Sequence, residues 1–208
     1  MTAIIDYGAG NLTSVLLALK SLGDDPVITG DPALLERADR IIFPGVGSAA
    51  SGMLGLKQKN LDAALKKCCM QNKPILAICL GMQMLLEFSE EDGGVNGLGL
   101  FPGNVKLFNF PPEQRIKVPH MGWNTVRQNK HALWKNIPDN SAFYFVHSYY
   151  VSADNASDIA GVTEYGSFEF VSAVARKNLF AAQFHPERSG ETGLQLLKNF
   201  LEWDGSSC

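Results

Sequence analysis

Ile75-Leu76-Ala77-Ile78-Cys79-Leu80-Gly81 is an apolar run that places one thiol between a strand-like start and a helix-like continuation. Residues 75–78 are short, continuous and preceded by Asn72-Lys73-Pro74, the pattern of a central strand buried on both faces. Leu80 to Phe88 reads as the helix directly after it, so Cys79 stands where a strand turns into a helix. A nucleophile elbow needs that placement, because the sharp turn thrusts the side chain into open space. Ala77 and Gly81 limit crowding on either side, and a helix N-terminus favours a thiolate through its free N–H groups and dipole. A lone cysteine also reads as a core residue, since free cysteine is among the most buried residue types.

The flanking segments repeat the strand-then-helix pattern. Ala3-Ile4-Ile5 ends at Asp6-Tyr7-Gly8-Ala9-Gly10, and Leu12, Val15, Leu16, Leu19 and Leu22 come next at helical spacing, with Asn11 as a cap and Gly23 as a stop. Pro26 to Thr29 and Arg40 to Phe43 read as strands, the second ending in Pro44-Gly45-Val46-Gly47-Ser48. One long helix is predicted to include Leu54 to Met70. Residues 91–104 hold five glycines and favour turns. Strand-like runs then dominate: 105–108, 116–118, 143–146, 159–163, 168–175 and 180–184, before a closing amphipathic helix from Thr192 to Trp203. This order predicts an α/β fold with an open, mostly parallel central sheet flanked by helices. Residues 1–203 are expected to form a single domain, with 204–208 as a flexible tail.

Composition excludes several classes. The 208 residues carry 18 basic and 21 acidic side chains, a net charge of -3, with no strongly basic stretch of the kind that tracks phosphates, so no nucleic-acid partner is expected. No window approaches the length of a membrane span, and Met1 to Ile5 runs into Asp6 without a secretory pattern, so a cytoplasmic protein is expected. Cys68 and Cys69 are adjacent rather than spaced as metal pairs are, and four cysteines are too few for a disulfide scaffold; no metal is expected.

Two further constellations stand at strand ends. Gln183-Phe184-His185-Pro186-Glu187 closes a strand with a histidine and sets a carboxylate two residues on. In an extended stretch those two side chains share a side, so Glu187 could fix one tautomer of His185, and His185 could exchange protons with Cys79. A structural histidine beside a surface glutamate is the alternative. Pro44-Gly45-Val46-Gly47-Ser48 could supply backbone N–H donors to an oxyanion, together with the N–H of Leu80. A phosphate cradle is weakly supported because the loop has no lysine, and a plain turn stands beside both.

Together these segments resemble the class I glutamine amidotransferases, and among them the glutaminase subunits of imidazole glycerol phosphate synthase. The likeness runs from Ile5-Asp6-Tyr7-Gly8-Ala9-Gly10-Asn11 through Pro44-Gly45-Val46-Gly47, Cys79-Leu80-Gly81-Met82-Gln83, His120-Met121-Gly122-Trp123-Asn124 and Phe145-Val146-His147-Ser148-Tyr149 to Gln183-Phe184-His185-Pro186-Glu187, covering nearly the whole chain. The resemblance implies Cys79 as nucleophile, His185 as base and Glu187 as its orienting acid. It further implies Gly45, Val46, Gly47 and Leu80 at the oxyanion and Gln83, Ser148 and Tyr149 around bound glutamine. Its partner would be a (β/α)8-barrel cyclase subunit that receives ammonia, contacted near Asn11, Met121, Trp123, Tyr144 and Arg188. Core packing is the alternative for Trp123 and Met121. No cofactor is implied. The oxyanion strand is expected to reorganise before the hole is complete, and turnover to rise when the barrel holds its nucleotide.

Two departures are visible: Ala50 stands where relatives often carry an aromatic, and Arg188 where they commonly carry lysine. The rival readings are an amidotransferase feeding another synthase, including one for sugar amination; a stand-alone cysteine hydrolase; and a catalytically silent interaction subunit.

Overall fold

The computed structural model describes residues 1–8, 10 and 12–206. Its first half alternates strands and helices: β1 Thr2–Ile5, α1 Leu12–Ser21, β2 Val27–Thr29, α2 Pro32–Arg37, β3 Arg40–Gly45, α3 Ala49–Gln58, α4 Leu61–Met70, β4 Ile75–Cys79 and α5 Leu80–Met84. The second half is strand-rich: β5 Phe88–Ser89, β6 Val95–Asn96, β7 Gly103–Leu107, β8 His120–Gln128, β9 Ser141–His147, β10 Tyr149–Ala153, β11 Ile159–Tyr165, β12 Phe168–Arg176 and β13 Leu179–Ala182, before the closing α6 Gly190–Glu202.

The strands join one sheet in the order β2-β1-β3-β4-β13-β12-β10-β7-β5-β6, with β11, β8 and β9 branching from β12. From β2 to β13 every pairing is parallel. Beyond β13 the pairs are antiparallel, except β5 with β7. Within this block β1, β3, β4 and β13 are buried on both faces and their side chains alternate between two cores, while the edge strand β2 exposes Val27 and Ile28. Ala3, Ile5, Ile41 and Phe43 meet Leu35, Leu56, Leu61 and Leu65 on the side of α2, α3 and α4. Ile4, Ile42, Leu76 and Ile78 meet Val15, Leu19, Leu196 and Phe200 on the side of α1 and α6. Among the described residues no helix is long and apolar enough to cross a membrane.

Several expected elements differ. The long helix through residues 54–70 is two helices, α3 and α4, separated at Asn60, whose φ of 56° is left-handed. Asparagine tolerates that conformation, and the break lets each helix pack on its own neighbour, α3 on α5 and α4 on α2. The helix expected through Phe88 stops at Met84. Its carbonyls are claimed by the returning glycine-rich loop instead of a further turn: Leu98 N–H bonds Met84 O at 2.8 Å, Leu100 N–H bonds Leu85 O at 2.8 Å and Gly97 N–H bonds Glu87 O at 2.9 Å. Residues 116–118 form no strand, being unpaired and largely exposed; pairing begins only at His120, opposite His147. Helix α2 and strands β5, β6, β8 and β10 stand outside the expected elements, although Asp31 caps α2 at Ala33 N–H and Pro32 starts it, a local helix signal. At the other end of the chain, the Trp203 indole N–H donates to the Ser206 carbonyl at 2.9 Å; Ser207 and Cys208 lie outside the described residues.

Candidate active site

Parallel strands end at the same sheet edge, so β3, β4 and β13 deliver their C-termini side by side: Gly45 is in register with Cys79, and Ala182 with Ile78. The elbow at Cys79 has φ 54° and ψ −112°, a conformation that L-residues rarely adopt. It turns the thiol out of the strand at the mouth of a cleft of about 370 Å³. The thiol is expected in open space, yet Cys79 is only 8% exposed, in the lining of that cleft. The turn is possible because Gly81 has no side chain, since a Cβ there would collide with the Phe43 carbonyl of β3. Helix α5 has only five residues, so the dipole it offers the sulfur is short.

His185 lines the same cleft and is buried. Its Nδ1 lies 2.8 Å from Glu187 Oε1, with both side chains out of solvent. The pair forms for a reason other than the expected one. Residues Pro186–Arg188 make a 3-10 turn rather than an extended stretch, and the turn curls the carboxylate back onto the ring. His185 is itself fixed from behind: its N–H donates to Tyr144 O at 2.9 Å and its carbonyl accepts from Ser189 Oγ at 2.6 Å. Burial works to lower the His185 pKa, but Cys79 and then Glu187 carry it up to about 10. Nε2 has no partner at full hydrogen-bond distance among the described residues, although the Cys79 sulfur is near enough to be the first cause that raises the ring's pKa. Such contacts often tighten only when substrate is present.

Gln83, Ser148 and Tyr149 line the cleft, as do Val46, Gly47 and Leu80. Gly45 does not. It is buried beneath the loop, where a Cβ would lie 2.6 Å from Tyr7 Oη and 2.8 Å from Gly81 N, so its part is to let β3 approach the elbow. Gly47 is exposed, with φ +96°. Tyr7 stands close under the site: burial, and then Cys79, push its phenol above the ordinary range.

Three residues of this region were assigned no part in it by sequence. Gln183 is fully buried; its Nε2 donates to Cys79 Sγ at 3.7 Å, and its Oε1 accepts from Gln83 Nε2 at 2.9 Å. Its place one residue after β13, in the His185 motif, was the available signal. Glu91 brings a carboxylate to the cleft. Its Oε2 accepts from Ala49 N–H at 2.8 Å while Asp92 accepts from Ala50 N–H at 3.1 Å, so two acids cap α3 where the Ser48 side chain turns to Ser51 Oγ and makes no capping bond. Burial leads the upward shift of the Glu91 pKa. His147 lines the cleft and bonds the Tyr149 carbonyl through Nδ1 at 2.7 Å. No local pattern marks Glu91, whose role comes from contacts across the chain, whereas His147 stands inside the Phe145-to-Tyr149 motif, which assigns it no role of its own.

Of the residues expected at a partner contact, Asn11 lies outside the described residues. Met121 and Trp123 are 62% and 59% exposed on one face of β8, so they are not core residues. Trp123 pairs in register with Tyr144, their rings 6.2 Å apart, and the Arg188 guanidinium lies 4.6 Å over the Tyr144 ring. Arg188 also lines the cleft, which joins this aromatic face to the site.

A model of the family described as glutamine amidotransferase class-I matches residues 3–203. A protein of Acinetobacter baylyi named imidazole glycerol phosphate synthase subunit HisH is 51% identical over 204 residues, spanning 97% of this chain and 98% of its own. One of the same name from Dechloromonas aromatica is 50% identical over 208 residues, spanning 97% and 95%. Among solved structures, PurLQS from Thermotoga maritima superposes with a TM-score of 0.74 at 16% identity over 97% of each chain. The glutaminase domain of Trypanosoma brucei CTPS superposes with a TM-score of 0.65 at 19% identity, over 99% of this chain and 97% of its own. At such identities these two speak for the fold alone.

Proposed function

The chain belongs to the class I glutamine amidotransferase family, and from that premise we propose that it is the cytoplasmic glutamine-hydrolysing subunit of an imidazole glycerol phosphate synthase. The observation that carries the mechanism is the strained elbow that points Cys79 into a cleft beside an imidazole whose far nitrogen is held by Glu187.

In the proposed cycle the Cys79 thiolate attacks the side-chain amide carbon of glutamine, and the carbonyl electrons move onto oxygen beside Val46, Gly47 and Leu80. His185, whose raised pKa keeps it charged at neutral pH, gives its proton to the amide nitrogen as the carbon–nitrogen bond breaks. Ammonia leaves and a γ-glutamyl thioester remains on Cys79. His185, now neutral, takes a proton from water as it attacks that thioester; glutamate departs and the thiolate–imidazolium pair is restored. Glu187 keeps Nδ1 as the donor, so Nε2 is the nitrogen that works. Glutamine is a zwitterion at its amino-acid end, which suits a cleft lined by the Glu91 carboxylate, Ser148 and Tyr149. No step calls for a metal or organic cofactor.

The exposed face of Met121, Trp123, Tyr144 and Arg188 supports a partner seated at the cleft mouth, read here as a (β/α)8-barrel cyclase that receives the ammonia. The test is reconstitution with the candidate cyclase, measuring glutamate release and imidazole glycerol phosphate formation in the same reaction. Stoichiometric release and product, both lost in Cys79→Ala, are expected. Glutamate release unchanged by Cys79→Ala would overturn the mechanism, and release with no cyclase product would overturn the partner.

A further inference from the structure

His120 and His147 form a buried polar chain that the mechanism above does not use. The two residues face each other in the β8–β9 register and are both buried. His120 Nδ1 lies 3.0 Å from His147 Nε2, His147 Nδ1 lies 2.7 Å from the Tyr149 carbonyl, and His120 Nε2 lies 3.3 Å from Asn124 Nδ2. Their surroundings are aromatic: His120 stacks on Phe145 at 4.9 Å and on Tyr165 at 4.0 Å, and His147 sits 5.2 Å from Phe170 and 5.4 Å from Phe108.

The direction of every hydrogen bond in this chain is set by its two ends. At one end the Tyr149 carbonyl can only accept, so His147 Nδ1 carries a proton and, in a neutral ring, Nε2 accepts. At the other end the Thr125 N–H can only donate, and it donates to Asn124 Oδ1 at 2.8 Å. Asn124 Nδ2 is therefore the donor toward His120 Nε2, while its second hydrogen goes to the Glu164 carbonyl at 2.8 Å. His120 Nε2 then accepts and its Nδ1 donates to His147 Nε2. Both ends impose the same polarity, with each ring a neutral Nδ1–H tautomer. A charge on either ring would set a donor against a donor. Burial, the leading cause in both, pushes His120 down to about 4 and His147 to about 3, in keeping with that arrangement.

The chain ends on a carbonyl that also matters to the cleft. Tyr149 O accepts from Gln83 Nε2 at 3.0 Å, and the same nitrogen donates to Gln183 Oε1, whose amide reaches Cys79. We propose that His120 and His147 are positioning residues for glutamine binding, two neutral imidazoles that lock the Tyr149 carbonyl and through it the Gln83 side chain. This rests on the glutaminase reading. The bonds are complete before substrate arrives and hold it alike through the reaction, so their loss raises KM and spares kcat.

The test has two readouts on the complex with its cyclase. Nitrogen-15 NMR of wild type at neutral pH should show the Nδ1–H tautomer for both histidines; an Nε2–H tautomer or an imidazolium at either position overturns the proposal. His120→Phe keeps the stacked ring and removes the donor, and should raise the glutamine KM about fivefold with kcat within about twofold, the loss of one net hydrogen bond. His120→Gln restores an N–H toward His147 and should return KM to within about twofold of wild type. Wild-type KM in folded His120→Phe overturns the positioning role. If His120→Phe does not fold, the wild-type tautomers and the His120→Gln KM decide. A wild-type complex that turns over no glutamine overturns the functional reading itself, an outcome separate from unmoved KM in an active enzyme.

Discussion

Replacing Cys79 by glycine and by alanine should reveal how much the elbow costs the fold. At φ 54° and ψ −112° the residue lies outside the left-handed helical well, so the strain stands at the upper end for a non-glycine residue, about 3 kcal/mol. Cys79→Ala removes the sulfur and keeps that strain. Cys79→Gly removes the strain as well, at a cost of roughly 0.7 kcal/mol in chain entropy and roughly 0.8 kcal/mol for the buried Cβ. The glycine variant should therefore be the more stable of the two by about 1.5 kcal/mol, or about 4 °C in Tm for a chain of this size. Urea unfolding of the two proteins, both without the nucleophile, measures the difference directly. Ala77→Gly is the control: Ala77 is fully buried in β4 and absent from the residues with positive φ, so glycine there should destabilise by roughly 1.5 kcal/mol. Glycine at 79 no more stable than alanine would refute the argument that backbone strain is stored at the nucleophile.

Gly81→Ala should lose about 3 kcal/mol or more, because the added Cβ meets the Phe43 backbone carbonyl and neither partner can yield as a flexible side chain would; a thermal melt within 2 °C of wild type would contradict this (about 0.5–1 kcal/mol). Acid should unfold the protein cooperatively well above the carboxylate range. His120, His131 and His147 are held neutral, with burial first among the causes that bring them to about 4, 4 and 3. Their folded pKa values lie below the unfolded value of about 6.5, so the unfolded chain binds more protons, and stability present above pH 6.5 is lost as pH falls toward 4. With three such groups the slope approaches roughly 4 kcal/mol per pH unit near pH 5. Equal urea midpoints at pH 7 and pH 5 would exclude it.

The βα units at the start of the chain, the closing helix and the motif at Cys79 are written locally. Apolar runs such as Ile75-Leu76-Ala77-Ile78 and the spacing of Leu12, Val15, Leu16 and Leu19 suffice, since a strand buried on both faces and a helix buried on one need different patterns. That three chemically capable segments each end a strand was also legible. Their meeting was not, because it depends on β13 returning from over a hundred residues away to lie parallel beside β4. The helix ends went unread for the same reason. Nothing within residues 80–88 tells that the loop near Leu98 will claim the carbonyls of α5, and nothing near Ser48 tells that Glu91 and Asp92 will cap α3. Sequence alone gives Gln183, Glu91 and His147 no part in the site because a polar side chain has no role until its partner is fixed. Periodicity records how much of each segment is buried; the choice of hydrogen-bond partner belongs to the packed chain, where burial makes an unmet donor costly and so selects one pairing among many.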